Sequence, residues 1–201
     1  QDDAGRFGGV EQDAKEALEP DAYIAEGMEA GGHIGQMTTM TLLPQAVKET
    51  NKKIIGAGGI ASGKEIFAAE VLGASGVQIG TGFLFTKESG LPMSAKEEIL
   101  NRVKSSSMKN FILESPVGLL ARGMGTKLVK KMETENIPPN HCLSCIRTCK
   151  RKDTKYCISE ALINAVRGNL DLGLFFAGTD VEKIERIRSL DEYIDWLLEE
   201  E

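Results

Sequence analysis

An α/β fold built on parallel βα repeats is what this sequence predicts, and three observations carry it. Between residues 22 and 82, three short apolar runs each lead into glycines: Ala22-Tyr23-Ile24-Ala25 before Gly27, Gly31 and Gly32, then Lys53–Ile60 with Gly56, Gly58 and Gly59, then Gly76–Gly82. The first two are followed by stretches of helical spacing and the third by a short apolar turn, the alternation expected of parallel strands with crossover helices. At 201 residues the chain is long enough for one well-buried domain but short of the ~250 residues usual for a complete eight-stranded α/β barrel.

Residues 1–12 are polar and without period, and Asp13–Leu18 reads as the end of a helix stopped by Pro20. After the first strand, Thr41–Thr50 places Leu42, Leu43, Ala46 and Val47 at helical spacing, with Pro44 expected in the first turn. Ser62-Gly63-Lys64-Glu65 has capping-box spacing for a helix through Leu72, closed by Gly73. Ser94–Glu97 is a second such box, before a helix with Ile99, Leu100 and Val103 inward. Residues 105–140 are irregular, with Ser115-Pro116 and Pro138-Pro139 as breaks. Ile158–Arg167 reads as a helix ended by Gly168, Gly173–Gly178 as an apolar loop, and two helices close the chain. The last begins at a third box, Ser189–Glu192, and is expected to bury Ile194, Leu197 and Leu198.

Composition narrows the function. A net charge of -6 with both signs interspersed gives no electrostatic reason to expect nucleic acid or an anionic membrane as partner. No apolar run approaches the ~18 residues of a membrane helix, and the first residues lack the pattern of a signal peptide, so a cytoplasmic protein is the expectation.

The stretch Glu26–Gly35 holds His33, one of two histidines, among glycines at a strand's carboxyl end, where such folds present chemistry. Two readings stand: a reacting side chain facing a flat ligand, or a surface or hydrogen-bonded structural histidine. Glycines 31, 32 and 35 would let a ligand approach the backbone. In a (β/α) barrel the turns after the last two strands commonly hold a phosphate. Gly58-Gly59 and Gly80-Thr81-Gly82 offer unpaired N–H groups for that role, with the Thr81 hydroxyl beside them. Cys142, Cys145, Cys149 and Cys157, with His141 adjacent, have spacing suited to zinc or an iron–sulfur cluster. The competing reading is reduced thiols without a metal, beside Lys150-Arg151-Lys152, which would favour thiolates on their own. Phe175-Phe176-Ala177-Gly178 reads either as a substrate wall or as core, and Met28, Met37 and Met40 either as pocket or as packing.

Ala25–Gly35, Ala57–Ile60 and Val77–Thr81 together resemble the nitronate monooxygenase family (2-nitropropane dioxygenases) and its relative, the flavin-dependent enoyl-acyl-carrier-protein reductase II. Ser115-Pro116-Val117-Gly118 and residues 157–178 are more similar to the clostridial-type members, NAD(P)H-dependent flavin oxidoreductases, than to the reductase. The resemblance implies FMN on a TIM (β/α)8 barrel, of which this chain would be the C-terminal part, strands 6–8. Residues 1–104 would form the partial flavin-binding barrel. Residues 105–201 would be a helical and loop extension with the cysteine cluster, packed on that barrel.

By the same resemblance Gly31 lies near the flavin ring and Glu26 near its polar edge or ribityl chain, while Gly58, Gly59, Gln78, Gly80 and Thr81 hold the ribityl phosphate. His33 matches the catalytic histidine, as a base toward a neutral nitroalkane or as the group orienting an anionic nitronate. The implied activity is oxidation of alkyl nitronates by molecular oxygen. The alternative is reduction of an enoyl thioester by NAD(P)H through FMN, with the histidine assisting protonation or binding. A third expectation is a flavin-binding fragment or partner subunit without turnover, because three parallel strands cannot close a barrel. A complementing N-terminal half-barrel or a homo-oligomer would then supply the remainder.

Overall fold

The structure, a computed structural model, describes residues 20–139, 141–147, 149 and 154–199; the expected helix at 13–18 lies outside them. Strands β1 (Ala22–Glu26), β3 (Lys53–Ala57) and β4 (Gly76–Gln78) pair in parallel in the order β1-β3-β4, Ile24 opposite Ile55 and Ala57 opposite Gln78. β4 stops at Gln78, short of the expected Gly82, because Thr81–Leu84 turns into a one-turn helix (α3).

Helices α1 (Thr39–Glu49) and α2 (Gly63–Val71) cover one face of this sheet, where Ala25, Leu42, Leu43, Ala46, Ile54 and Ala69 form a core. Burying each Leu or Ile there contributes about 1.5–3 kcal/mol. The opposite face carries Ile24 at 51% exposure, an open apolar surface rather than a second core.

Helix starts differ from the sequence expectation in instructive ways. α1 begins two residues early, so Pro44 sits inside it and not in its first turn. Its first amide, that of Thr39, donates to Glu29 Oε2 at 2.9 Å, so a carboxylate from the preceding glycine loop serves the positive end of a helix whose own first turn has no acid. At α2 the Ser62 hydroxyl donates to Glu65 Oε2 at 2.5 Å but caps no helix amide. Helix α4 (Met93–Lys104) starts after Pro92, which leaves Ser94 inside it and not at its cap. Lys96 is 1% exposed there, its ammonium donating to Thr86 O at 2.5 Å and Ser89 O at 3.1 Å.

The largest departure is at 105–140, which is not merely irregular. β5 (Asn110–Glu114) and β6 (Leu120–Met124) form an antiparallel hairpin, and β2 (Gly32–Ile34), expected as loop, adds to β6 with His33 opposite Ala121. The stretch after residue 104 is therefore strand as well as helix and loop, and it is tied by hydrogen bonds to the His33 segment. No local period signals a three-residue strand whose partner lies almost ninety residues away.

Helix α5 (Lys127–Met132) is capped by Thr126, and α6 (Ile158–Val166) ends before Gly168. The first closing helix is a 3-10 turn, Thr179–Lys183, pinned to α2 by Lys183 and Glu65 at 2.7 Å. The last, α7 (Leu190–Glu199), opens on a reciprocal box: Ser189 N donates to Glu192 Oε2 at 2.6 Å, and Glu192 N donates to Ser189 Oγ at 3.2 Å. Those bonds from Ser189 pull the Glu192 carboxyl down to about 2. α7 buries Tyr193 and Leu197, whereas Ile194 and Leu198 are 39% and 59% exposed, because Tyr193 meets Phe83 edge-on and thereby sets the helix's rotation. Among the described residues no helix is long and apolar enough to cross a membrane.

Candidate active site

Beyond the carboxyl ends of β1, β3 and β4 lies a cavity of about 300 Å³. Its walls include Glu26, Gly31, Gly58, Gly59, Gln78, Gly80 and Thr81, so the seven positions singled out for a cofactor converge on one space. Phe176 and Asp180 complete the lining that matters chemically, and no lysine or arginine lines it among the described residues. Main-chain amides, the Thr81 hydroxyl and the Gln78 amide are thus its main hydrogen-bond donors.

Two of the glycines are demanded by geometry. Gly58 has φ +94°, and a Cβ there would stand 2.9 Å from Gly27 O, so the turn after β3 is both left-handed and crowded. At Gly31 a Cβ would meet the Ala177 backbone at 2.6 Å. Gly31 therefore admits the loop 174–178 to the cavity's rim while itself lining the cavity. Gly31→Ala is expected to force that loop outward and lower stability by about 2 kcal/mol, visible as a fall in the thermal midpoint. An unchanged midpoint would show that the loop is not seated there.

Asp180 was not foreseen. It is 4% exposed, its Oδ1 has no hydrogen-bond partner among the described residues, and it stands beside Thr81, whose Oγ1 accepts from Gly178 N at 2.9 Å. Burial raises its pKa, with Thr81 pulling the other way, and burial likewise raises that of half-buried Glu26. A carboxyl whose folded pKa exceeds its unfolded one adds stability at low pH that is lost as pH rises through the folded value. Asp180→Asn should therefore melt above the unsubstituted protein at about pH 8, and the gap should shrink toward about pH 4. Parallel melting curves across that range would refute the assignment.

His33 does not line the cavity. Its ring is exposed and one aromatic ring away, with its centroid 6.1 Å from that of Phe176. The two readings of 174–178 are thereby divided: Phe175 is buried in the core with Ile99, Met124 and Val181, and Phe176 faces the cavity. Of the methionines, Met37 packs behind the parallel sheet and Met40 is 69% exposed.

His33 Nε2 lies 2.8 Å from Ser115 Oγ. Ser115 starts the β5–β6 turn, where Gly118 N donates to Ser115 O at 2.9 Å and Pro116 presets the bend. Behind it the buried Tyr156 phenol, without a hydrogen-bond partner among the described residues, is driven well above its usual pKa by burial, an effect that Ser115 tempers.

Arg122 of β6, also unforeseen, is 8% exposed and clamps the site from below. Its Nε and Nη2 donate to Met28 O at 3.0 and 2.9 Å, and Nη1 donates to Asn110 Oδ1 at 2.8 Å. Asn110 Nδ2 in turn donates to Ala177 O at 2.7 Å. One guanidinium thus joins the glycine loop after β1 to the Phe176 loop. Ser115-Pro116 was a visible turn signal, but nothing near Arg122 or Asp180 in sequence distinguishes them from surface charges.

A profile of the nitronate monooxygenase family matches residues 9–200. A Staphylococcus haemolyticus protein described as a probable nitronate monooxygenase is 35% identical over 139 residues, covering 63% of this chain and 38% of that protein. Among solved structures, FabK from Thermotoga maritima is 30% identical with TM-score 0.74, covering 92% of this chain and 55% of that one. Nitroalkane oxidase from Streptomyces ansochromogenes shares the fold at TM-score 0.69 and 24% identity, with 93% and 53% covered. The chain thus spans about half or less of the length of these relatives.

Proposed function

The chain belongs to the nitronate monooxygenase family, and from that premise we propose that it is the C-terminal, strand 6–8 part of a TIM-barrel oxidoreductase that binds FMN and oxidises alkyl nitronates with oxygen. The observation that carries this reading is the convergence of Glu26, Gly31, Gly58, Gly59, Gln78, Gly80 and Thr81 on one cavity with His33 a single ring away. The exposed Ile24 face of the parallel sheet fits an origin inside a larger barrel, closed by further strands of a longer chain or by a complementing half-barrel.

The cavity suits a flavin mononucleotide on its own chemistry. A Cβ at Gly80 would meet nothing within 4 Å, so the turn after β4 presents bare backbone to open space. With no cation in the lining, a phosphate there is held by N–H groups and the Thr81 hydroxyl. Bound FMN supplies the electron chemistry with nitronate and oxygen.

The chain's own part is placement and proton handling. For His33 to take an α-proton, Nε2 must carry hydrogen and donate to Ser115 Oγ, leaving the Nδ1 lone pair for the substrate. In the other tautomer, with Ser115 Oγ donating to Nε2, the Nδ1–H donates to the oxygens of an anionic nitronate and orients it without proton transfer. Phe176 stands between the ring and the cavity.

The test is oxygen uptake with propyl nitronate in the absence of nicotinamide, on protein carrying stoichiometric FMN. A second reading rests on the motif Ala25–Gly35, which the enoyl-thioester reductases share. NAD(P)H consumption that depends on an enoyl thioester, with no nitronate-driven oxygen uptake, would establish it in place of the first. Bound flavin without either activity would leave a binding subunit.

A further inference from the structure

We propose that Cys142, Cys145, Cys149 and Cys157 together hold an iron–sulfur cluster of the four-iron kind, at a site separate from the flavin cavity. All four cysteines are free, and all four line one cavity of about 270 Å³ together with His141. They are every cysteine the chain has, gathered in sixteen consecutive positions of its 201. Its other walls include the apolar side chains of Leu143, Ile146, Ile158 and Ile163.

The backbone argues for a binding role. From Glu133 to Cys157 the described residues form neither helix nor strand, and such long structureless stretches in a compact fold are usually functional. Ser144 adopts φ +53°, a left-handed conformation that bends the chain between Cys142 and Cys145. Sequence spacing puts three thiols on one loop, and the fourth comes from the N-cap of α6, so that both segments are joined through whatever the sulfurs bind.

Ligand spacing distinguishes a single-ion site from a cluster. Around one zinc ion, with Zn–S of ~2.3 Å, four thiolates sit roughly 3.8 Å from each other. Among the described residues, no three histidine, cysteine, aspartate or glutamate side chains are close enough to share one ion. A cluster whose irons each take one cysteine holds the same four sulfurs farther apart around its own inorganic core. Each thiol gives up its proton on binding, and Arg147, Lys150, Arg151 and Lys152 place positive charge in the same stretch of sequence. The cavity also abuts Tyr156, whose ring packs with Leu128, Val129, Met132 and Leu174, so the centre would brace the core behind Ser115.

The experiment is metal and sulfide analysis of the whole chain purified without oxygen. The expected result is about four irons and about four acid-labile sulfides per chain. Cys145→Ser, at an exposed position, is expected to lose most of that iron, and Cys149→Ser likewise, while Leu143→Ala in the same loop keeps it. About one zinc per chain, no bound metal, or iron unaffected by both cysteine substitutions would each overturn the assignment. Because iron content of the unsubstituted protein already decides the matter, failure of a variant to fold does not rescue the proposal. The outcome is independent of whether the other cavity binds FMN.

Discussion

Turnover of a neutral nitroalkane by protein carrying His33→Ala is expected to fall by about 10³-fold, with flavin content unchanged. The ring has the position for general-base work: it is exposed, held at Nε2 by Ser115 at 2.8 Å, and set against Phe176 at the cavity's edge. With a preformed anionic nitronate there is no proton to remove, and the same substitution should cost only about tenfold, the value of one lost hydrogen bond to a charged group. The ratio of the two losses therefore separates the base from the orienting role. Equal losses with both substrates would assign His33 to orientation alone, and no loss with either would remove it from catalysis. Flavin content should not move, because His33 lines no part of the cavity.

Arg122→Met is expected to cost about 3 kcal/mol of stability, the largest effect of any single change outside the hydrophobic clusters. Four groups depend on that side chain: Met28 O, Asn110 Oδ1, and through Asn110 the carbonyls of Ala177 and Gly178. Methionine fills comparable volume but leaves Met28 O and Asn110 Oδ1 without their donor and frees Asn110 from its anchor. Since the clamp spans the loops on either side of the cavity, flavin affinity should fall alongside the urea midpoint. Arg122→Lys restores charge but not the fork, and it is expected to recover less than half of the lost stability. A midpoint unchanged in Arg122→Met would show that the two loops are held by packing alone.

How much of this was legible beforehand varies with the range of the interaction. The glycine turn after β3 was readable because left-handed or crowded backbone at Gly58 and Gly59 must be written as glycine where it occurs. The capping box at Ser189–Glu192 formed with both bonds, whereas Ser94–Glu97 has the same spacing and none, since Pro92 had already begun the helix. The same Ser-x-x-Glu spacing gave opposite outcomes, and a proline two residues upstream decided between them. Tyr193 displaced Ile194 and Leu198 from the core because the helix turned to suit Phe83, a partner more than one hundred residues away in sequence.

By itself, then, the sequence determined the three glycine-ended strands and the turns at Gly58-Gly59 and Gly80-Thr81, because strand period and backbone dihedral are properties of neighbouring residues, while Glu26, Gly31 and Gln78 were reached through the resemblance to the family. Only the tertiary structure decided that His33 lies on a strand, that Ser115 holds its ring, that Arg122 ties the two loops, and that Asp180 is buried beside Thr81. Those outcomes depend on segments 82 to 97 residues apart meeting across a hairpin or a closing turn. Contacts at that separation are paid for in chain entropy and settled by the packing of the whole, so no short window of residues records them.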